Sequence, residues 1–536
     1  MTETSPLGTG QGLVYELTSS PRLFHDLTPR ESRLLDGALT FHALTRPDEN
    51  LRVTVLRTEN AHFPALTDQR TERIEWADDR TVVGSVTARH RAAGDQSRIT
   101  DLVVDLGGPP AKLVGRTTPP GRLFAARDRV RSEVPVAFDA LRQLRTDRLE
   151  NRRMARPIPR VGSLHERAPR ANRELPKAVL FGMHWLELGG AEKWANQTVE
   201  LAKAAGLLPI ILTDQTSAHP DIVRDVFDGA LVIPLTHPLS NVQESRLLAR
   251  LFSEFDIHGI HVHHCVWLYQ RLPWIRTHFP WVEMVDSLHI IEWRTGGFVD
   301  VALRMSNVMD AHHVISPQLR DYLIDRQGLK RDKVVLATLT DLTASRSGAA
   351  HHRVGSGPLT VAFVGRLTQQ KRPYLFLRLA AQLRRELGDQ VRFIMHGDGE
   401  LAAETARQRA RLGLDAVMTV RDSTVPVDRT WSEADVLVVS SDNEGVTLTS
   451  FEADAAGVLV VSADVGSQAS VIADDLLVPR APLQFLKTAT GLIRRMVEDP
   501  AQRNTWARQQ NQKMSDFAAL PKAREWTRRL YEGWAS

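Results

Sequence analysis

The feature that most constrains this chain is a pair of alternating series. Short runs of Val, Leu and Ile are separated by segments with helical spacing. The first series runs through Lys177–Met183, Leu208–Thr213, Ala230–Leu235, Gly259–His263, Val282–Val285 and His313–Ser316. The second runs through Leu359–Val364, Val391–Met395, Asp435–Val439 and Val458–Val461. Continuous apolar strands between helices predict parallel sheets covered on both faces. Two such series, split near 345–357, predict two Rossmann-like domains. Their ligand would bind outside the carboxyl ends of the strands, in the cleft between the domains.

The rest of the chain reads differently. Residues 38–117 favour strands, at Leu51–Leu56, Thr71–Trp76, Arg80–Val86 and Ile99–Val104, and suggest a β-rich accessory domain. Phe124–Arg153 reads as a charge-rich helix, and the prolines at 157, 159, 169 and 176 mark a linker. Ala501–Trp534 reads as helices. The expected division is 1–120, 121–176, 177–345, 358–510 and 511–536.

Charge is concentrated in one place. The chain of 536 residues carries a formal +4. Lys112–Arg173 holds sixteen basic and six acidic residues, a local +10. Two readings stay open for it: a solvated helix with its linker, or a peripheral contact with anionic lipid or polymer. The small total charge gives no ground for a nucleic-acid partner. The single cysteine, Cys265, cannot form an intrachain disulfide, so a cytoplasmic location is expected, with any membrane contact at the inner face. No apolar run has the length of a membrane span.

Three stretches offer chemistry. In Asp435–Gly457 a buried strand leads into a loop holding Glu444 and Gly445, then a helix from about Leu448. Amides at its start suit a phosphate. Glu444 in the loop and Glu452 in the helix are carboxylates that can accept bonds from sugar and ribose hydroxyls. In Val361–Pro373 a strand ends at Gly365, and Arg366 and Lys371 flank the turn that follows. Two cations there can neutralise a diphosphate leaving group. In Met183–Glu192, Gly189 and Gly190 let backbone approach a ligand closely. His261, His263 and Cys265 share a strand face, but their spacing matches no zinc pattern, so no metal site is expected. His312-His313 and His351-His352 are expected at solvated loops or strand ends. No nucleotide-binding Gly-x4-Gly-Lys-Ser/Thr or Gly-x-Ser-x-Gly is present, and Gly397-x-Gly399 lacks the third glycine of a dinucleotide fingerprint.

These stretches together resemble the GT-B fold glycosyltransferases of family 4, the retaining glycosyl transferases group 1. The resemblance runs from about 177 to 510. It is carried by Gly189-Gly190-Ala191-Glu192, Gly365-Arg366-Leu367 with Lys371, Gly397-Asp398-Gly399, and Glu444 to Glu452 followed by Ala453 and Gly457. It implies an α/β GT-B architecture, with two Rossmann-like domains facing a cleft behind the β-rich N-terminal domain. It implies retaining transfer from a nucleotide-sugar, which is a substrate rather than a cofactor, to a glycan or lipid-linked acceptor in cell-envelope or polysaccharide synthesis. Arg366 and Lys371 match the diphosphate-binding pair. Glu452 matches the ribose carboxylate and Glu444 the residue that contacts the donor sugar. Gly445, Val446, Thr447 and Leu448 match the phosphate cradle beside Gly365. Gly189 and Gly190 match the first-domain loop. His289 is the candidate for the histidine near the donor sugar, with Asp286 as second choice.

Two family motifs are altered. Asn-Gly-(Val/Ile)-Asp is replaced by Ala337-Thr338-Leu339-Thr340-Asp341. The late Gly-Gly-x-x-Glu reads Gly466-Ser467-Gln468-Ala469-Ser470. These changes keep two alternatives in view: a catalytically silent GT-B binding or assembly protein, and a nucleotide-sugar epimerase or a phosphorylase on the same fold.

Overall fold

The computed structural model describes the chain except residues 1–12, 19–22, 24–25, 59–64, 68–79, 94–97, 108–121, 155, 164–166, 170–173, 187–189, 216–224, 237–238, 293–295 and 341–356. The expected strand Thr71–Trp76, the His351-His352 pair and Gly189 therefore lie outside the described residues.

The N-terminal region contains β1 (Tyr15–Leu17), α1 (Pro29–Thr45), β2 (Glu49–Thr58), β3 (Arg80–His90) and β4 (Arg98–Asp105). Its sheet runs β1-β3-β2-β4, with β2 and β4 parallel and the other pairs antiparallel. Residues 38–45, expected among the strands, belong instead to α1. The signal for this helix is local: Thr28 caps it, Glu31 completes a capping box, and Pro29 occupies the first turn. Helix α1 also lies buried against the next domain. A Cβ on Gly37 would stand 2.5 Å from the Val232 carbonyl oxygen. The N-terminal region and the first Rossmann-like domain consequently share one apolar core.

Next come α2 (Arg122–Glu133) and α3 (Pro135–Met154). In place of the single charge-rich helix expected, the segment is two consecutive helices: the Val134 amide donates to the Val130 carbonyl at 3.0 Å and the Phe138 amide to the Val134 carbonyl at 2.9 Å, so the helical path continues across a break at Pro135. The chain that follows lies along the first Rossmann-like domain: the Val161 amide donates to the Arg304 carbonyl at 2.7 Å, and Arg160 Nη2 to the Gln327 carbonyl at 2.7 Å.

The first Rossmann-like domain holds β5 (Lys177–Met183), α4 (Gly190–Ala204), β6 (Leu208–Thr213), β7 (Leu231–Pro234), α5 (Asn241–Glu254), β8 (Asp256–His263), α6 (Val266–His278), β9 (Glu283–Leu288), α7 (Gly297–Met305), β10 (Ala311–Val314), α8 (Pro317–Asp321) and β11 (Val334–Leu336). Its parallel sheet has the order β11-β10-β9-β8-β5-β6-β7. The second domain holds β12 (Leu359–Val364), α9 (Pro373–Leu387), β13 (Val391–His396), α10 (Ala402–Arg411), β14 (Met418–Arg421), α11 (Asp428–Trp431), β15 (Val436–Val439), α12 (Leu448–Ala455), β16 (Leu459–Ala463), β17 (Leu477–Val478), α13 (Pro482–Glu498) and α14 (Pro500–Ala518). Its parallel sheet has the order β14-β13-β12-β15-β16-β17. Strand order therefore reverses between β5 and β8 and between β12 and β15, the switch points where doubly wound folds bind ligands.

Residue 510 falls inside α14, which stays in the second core through Trp506, Met514 and Phe517. The chain then crosses back, and α15 (Ala523–Ala535) buries Tyr531 and Trp534 in the first core. A Cβ on Gly259 would stand 2.4 Å from the Trp534 ring, so this strand position leaves room for the indole. Among the described residues, no helix is long and apolar enough to cross a membrane.

Candidate functional site

The second domain places its chemistry at the β12/β15 switch point. The loop after β12 and the turn after β13 need glycine to nest. A Cβ on Gly397 would stand 2.0 Å from the Gly365 carbonyl oxygen, and one on Gly399 would stand 2.6 Å from that of Leu367. Both have φ near +150°. The Leu367 amide then donates to the Asp398 carbonyl at 2.7 Å. This packing ends with Arg366 exposed and without an ion-pair partner among the described residues. Lys371, on the same loop, reaches the loop after β15, where its Nζ lies 2.5 Å from Glu444 Oε1. Glu444 is nearly buried, at 7% exposure.

Helix α12 starts beyond Glu444 and Gly445. Thr447 stands at its N-cap without a side-chain bond to the first turn; the Ser450 amide donates to the Thr447 carbonyl at 3.0 Å, which leaves the amides of Leu448 and Thr449 to a ligand. Gln468 Nε2 donates to Thr447 Oγ1 and so fixes the cradle from behind. Gln468 belongs to the altered Gly-Gly-x-x-Glu motif, and no signal in the sequence marks this contribution. Glu452 lies half-buried on α12, and burial pushes its carboxyl up while Lys193 of α4 pulls it down.

The first domain meets this assembly closely. A Cβ on Gly445 would stand 2.2 Å from the His289 carbonyl oxygen, so only glycine fits there. Gly190 opens α4 opposite the start of α12, where a Cβ would stand 3.6 Å from Leu448 Cδ1. His289 lines a cavity of about 140 Å³ with Gly190, Gly445, Val446, Leu448 and Phe451. Its Nε2 is buried and has no hydrogen-bond partner among the described residues. Burial first, and then His264, His313 and His263, hold this imidazole neutral, well below the usual histidine range. His289 thus borders the cavity with a neutral ring whose Nε2 has no partner among the described residues, an exception to the rule that buried polar atoms are paired.

Asp286, the second choice, is excluded from the cleft. Its carboxylate is buried, accepting from Tyr269 Oη at 2.9 Å and facing His312 Nδ1 at 3.0 Å. The two residues, Asp286 and His289, lie three apart at a strand end, so they face opposite sides of the sheet. The expectation for His312 and His313 is overturned as well: both are fully buried in β10, not at solvated ends. His313 Nδ1 and His261 Nε2 share the Ser287 hydroxyl, each at 2.9 Å, and His261 Nδ1 meets Tyr531 Oη at 2.6 Å. Among the described residues, no cluster of His, Cys, Asp or Glu has the arrangement of a metal site.

Other residues join the domains without a sequence signal. Asn443 Nδ2 donates to the Ile291 carbonyl at 2.9 Å, Ser467 Oγ to Ser316 Oγ at 2.6 Å, and Ser470 Oγ to Gln318 Oε1 at 2.6 Å. Ser470, at the position of the family's late glutamate, is thus engaged with the opposite domain.

Comparison with known proteins bears on the fold and on the second domain. Residues 358–495 match the family model described as Glycosyl transferases group 1. The D-inositol 3-phosphate glycosyltransferase of Nocardia farcinica is 26% identical over 54% of this chain and 72% of its own length. That of Catenulispora acidiphila is 34% identical, over 28% of this chain and 40% of its own length. Among solved structures, the apo lipopolysaccharide outer core galactosyltransferase WaaB superposes with a TM-score of 0.50 at 13% identity, covering 67% of this chain and 99% of that one. Fold and site therefore define a GT-B protein. Within its second Rossmann-like domain, residues 358–495 match the group 1 glycosyl transferase model.

Proposed function

We propose that this glycosyltransferase transfers a sugar from a nucleoside-diphosphate sugar to an acceptor hydroxyl with retention at the anomeric carbon and without a metal. The observation that carries this reading is that Gly445, the neighbour of Glu444 in the Lys371–Glu444 pair, packs on the backbone of His289, whose Nε2 has no partner among the described residues. As the glycosidic C–O bond of the donor breaks, charge develops on the diphosphate. Lys371, Arg366 and the opening amides of α12 stabilise that charge. Glu444 and His289 hold the sugar, and Glu452 the ribose. The leaving phosphate oxygen takes the acceptor proton as the new bond forms on the same face.

The acceptor is a glycan or lipid-linked molecule of cell-envelope or polysaccharide synthesis, met from the cytoplasm. On the outer face of α3, Leu141 is 71% and Leu144 69% exposed beside the exposed Arg145. An apolar pair within a basic segment supports a peripheral contact of 112–173 with an anionic inner-leaflet surface.

The test is a panel of UDP-, GDP- and ADP-sugars, each offered with glycan, lipid-linked and inositol 3-phosphate acceptors. The expected outcome is a free nucleoside diphosphate and a glycoside whose anomeric configuration, read by NMR, matches the donor. A purified, folded chain that neither binds nor turns over any of these donors is the silent binding protein, the reading that Ser470 in place of the family glutamate favours. An isomerised nucleotide sugar instead of a glycoside marks an epimerase.

A further inference from the structure

The helices α2 and α3 do not rest where their neighbours in sequence do. Helix α1 before them and the segment after them pack on the first Rossmann-like domain, whereas α3 packs against α9 and α13 of the second. At that contact lies a group of buried charges. Asp139, fully buried, sits with its Oδ2 2.9 Å from Nε of the equally buried Arg372. Arg142 Nη2 donates to Asp139 Oδ1 at 2.6 Å and to Asp442 Oδ2 at 2.8 Å. Arg372 Nη2 donates to Asp442 Oδ1 at 2.8 Å and to Gln143 Oε1 at 3.2 Å, and Nη1 to the Arg480 carbonyl at 2.8 Å. Two cations and two carboxylates thus compensate each other out of water, as buried charges must.

Two members of the group adjoin the site. Arg372 follows Lys371, and Asp442 stands two residues before Glu444. Arg372 also has φ +52°, a left-handed conformation that a non-glycine residue holds only when its surroundings impose it. Pro373 contributes by disfavouring the right-handed region at the residue before it. The same two loops are stitched beside the charges: the Asp442 amide donates to the Gln370 carbonyl at 2.8 Å, Gln370 Nε2 to the Asn443 carbonyl at 2.8 Å, and Ser440 Oγ to the Lys371 carbonyl at 2.9 Å.

We propose that α3, a helix outside both Rossmann-like domains, is a built-in positioning element for the donor site. Asp139, with Arg142, fixes Arg372 and Asp442, and through them sets the separation of Lys371 and Glu444. Asp139 is a positioning residue: nothing places it against the substrate. The inference rests on the glycosyltransferase reading only for what the positioned pair binds.

The test compares Asp139→Asn with the wild type and with Glu133→Gln, which removes an exposed partner of Arg411 at the end of the preceding helix α2. Hydrogen exchange followed by mass spectrometry reads residues 366–372 and 440–446 without any ligand. Calorimetry reads the Kd for UDP, GDP and ADP, and kinetics reads the donor KM against the acceptor KM. Asp139→Asn is expected to speed exchange in both loops about tenfold, weaken the bound nucleoside diphosphate about tenfold, and raise the donor KM with the acceptor KM unchanged. Glu133→Gln is expected to match the wild type. A folded Asp139→Asn protein with wild-type exchange in both loops overturns the proposal. If the wild type binds none of the three diphosphates, the glycosyltransferase reading fails while the exchange result still decides the positioning role. If Asp139→Asn does not fold, Arg142→Gln carries the same comparison.

Discussion

The two Rossmann-like domains have the same architecture and opposite chemistry at their carboxyl ends. The second brings full charges into its switch point, Lys371 against Glu444, with the exposed Arg366 nearby. The first brings one neutral ring, His289, to the cavity, backed by the buried rings of His261, His263, His264 and His313; all five are held below the usual histidine range, with burial the largest cause for each. A parallel sheet supplies the frame in both cases. The difference lies in what each loop can keep hydrated or paired. The charged side of the cleft suits a diphosphate, and the neutral side suits a sugar, whose hydroxyls need hydrogen bonds rather than countercharge.

That division can be broken most directly at the charged side. Lys371→Ala is expected to lower kcat/KM for the donor about a thousandfold, the scale of losing one charge-stabilising group at a leaving oxygen. Glu444→Ala should fall in the same range, because it also leaves the lysine unpaired. Turnover within tenfold of the wild type in either variant means that the leaving group is stabilised elsewhere. On the neutral side, His289→Ala should lower kcat about a hundredfold while the nucleoside diphosphate Kd stays the same. A parallel loss of diphosphate affinity would place His289 on the charged side after all.

Acid should separate the domains by stability. His264 and His313 are lowered to about 4 when folded. In the unfolded chain a histidine titrates near ~6.5, so between these values the unfolded state takes up protons that the folded state refuses. Stability from these rings is complete above the unfolded value and falls as pH drops toward 4. At pH 5 each of the two rings costs about 2 kcal/mol relative to pH 7.5. Thermal unfolding across this range, with exchange resolved by segment, should show β8 to β10 loosening before β12 to β16; simultaneous loosening would remove the distinction. The smallest effect belongs to Glu452→Gln. Losing one charged hydrogen-bond acceptor should raise the donor KM about tenfold with kcat nearly unchanged, and steady-state kinetics with a ribose- and a deoxyribose-containing donor would check it.

Much of the charged side is legible in the residues alone. Glu444 and Glu452 fall in a loop and a helix because the strand before them ends in serines and the apolar run restarts at Leu448. Lys371 and Arg366 follow a strand that glycine terminates. His289 and Asp286 are not separable in this way, because strand-end residues three apart differ only in which face they meet, and the twist and ending of β9 decide that. The buried pair His312-His313 escapes local reading for a related reason. Histidine carries no strong local preference, and only neighbours such as Ser287 and Asp286 satisfy it inside a core.

The basic segment meets the same limit. Its charge can be counted residue by residue, yet Asp139 looks like any acid in a solvated helix. Local periodicity and backbone freedom are enough to fix the two alternating series, the glycine turns and the residue types at the cleft. They are not enough to dock α1 on the first core, to return α15 to it, or to seat α3 on the second domain. Each of those placements depends on burying charge and apolar surface against partners far away in the chain, which neighbours in sequence do not encode.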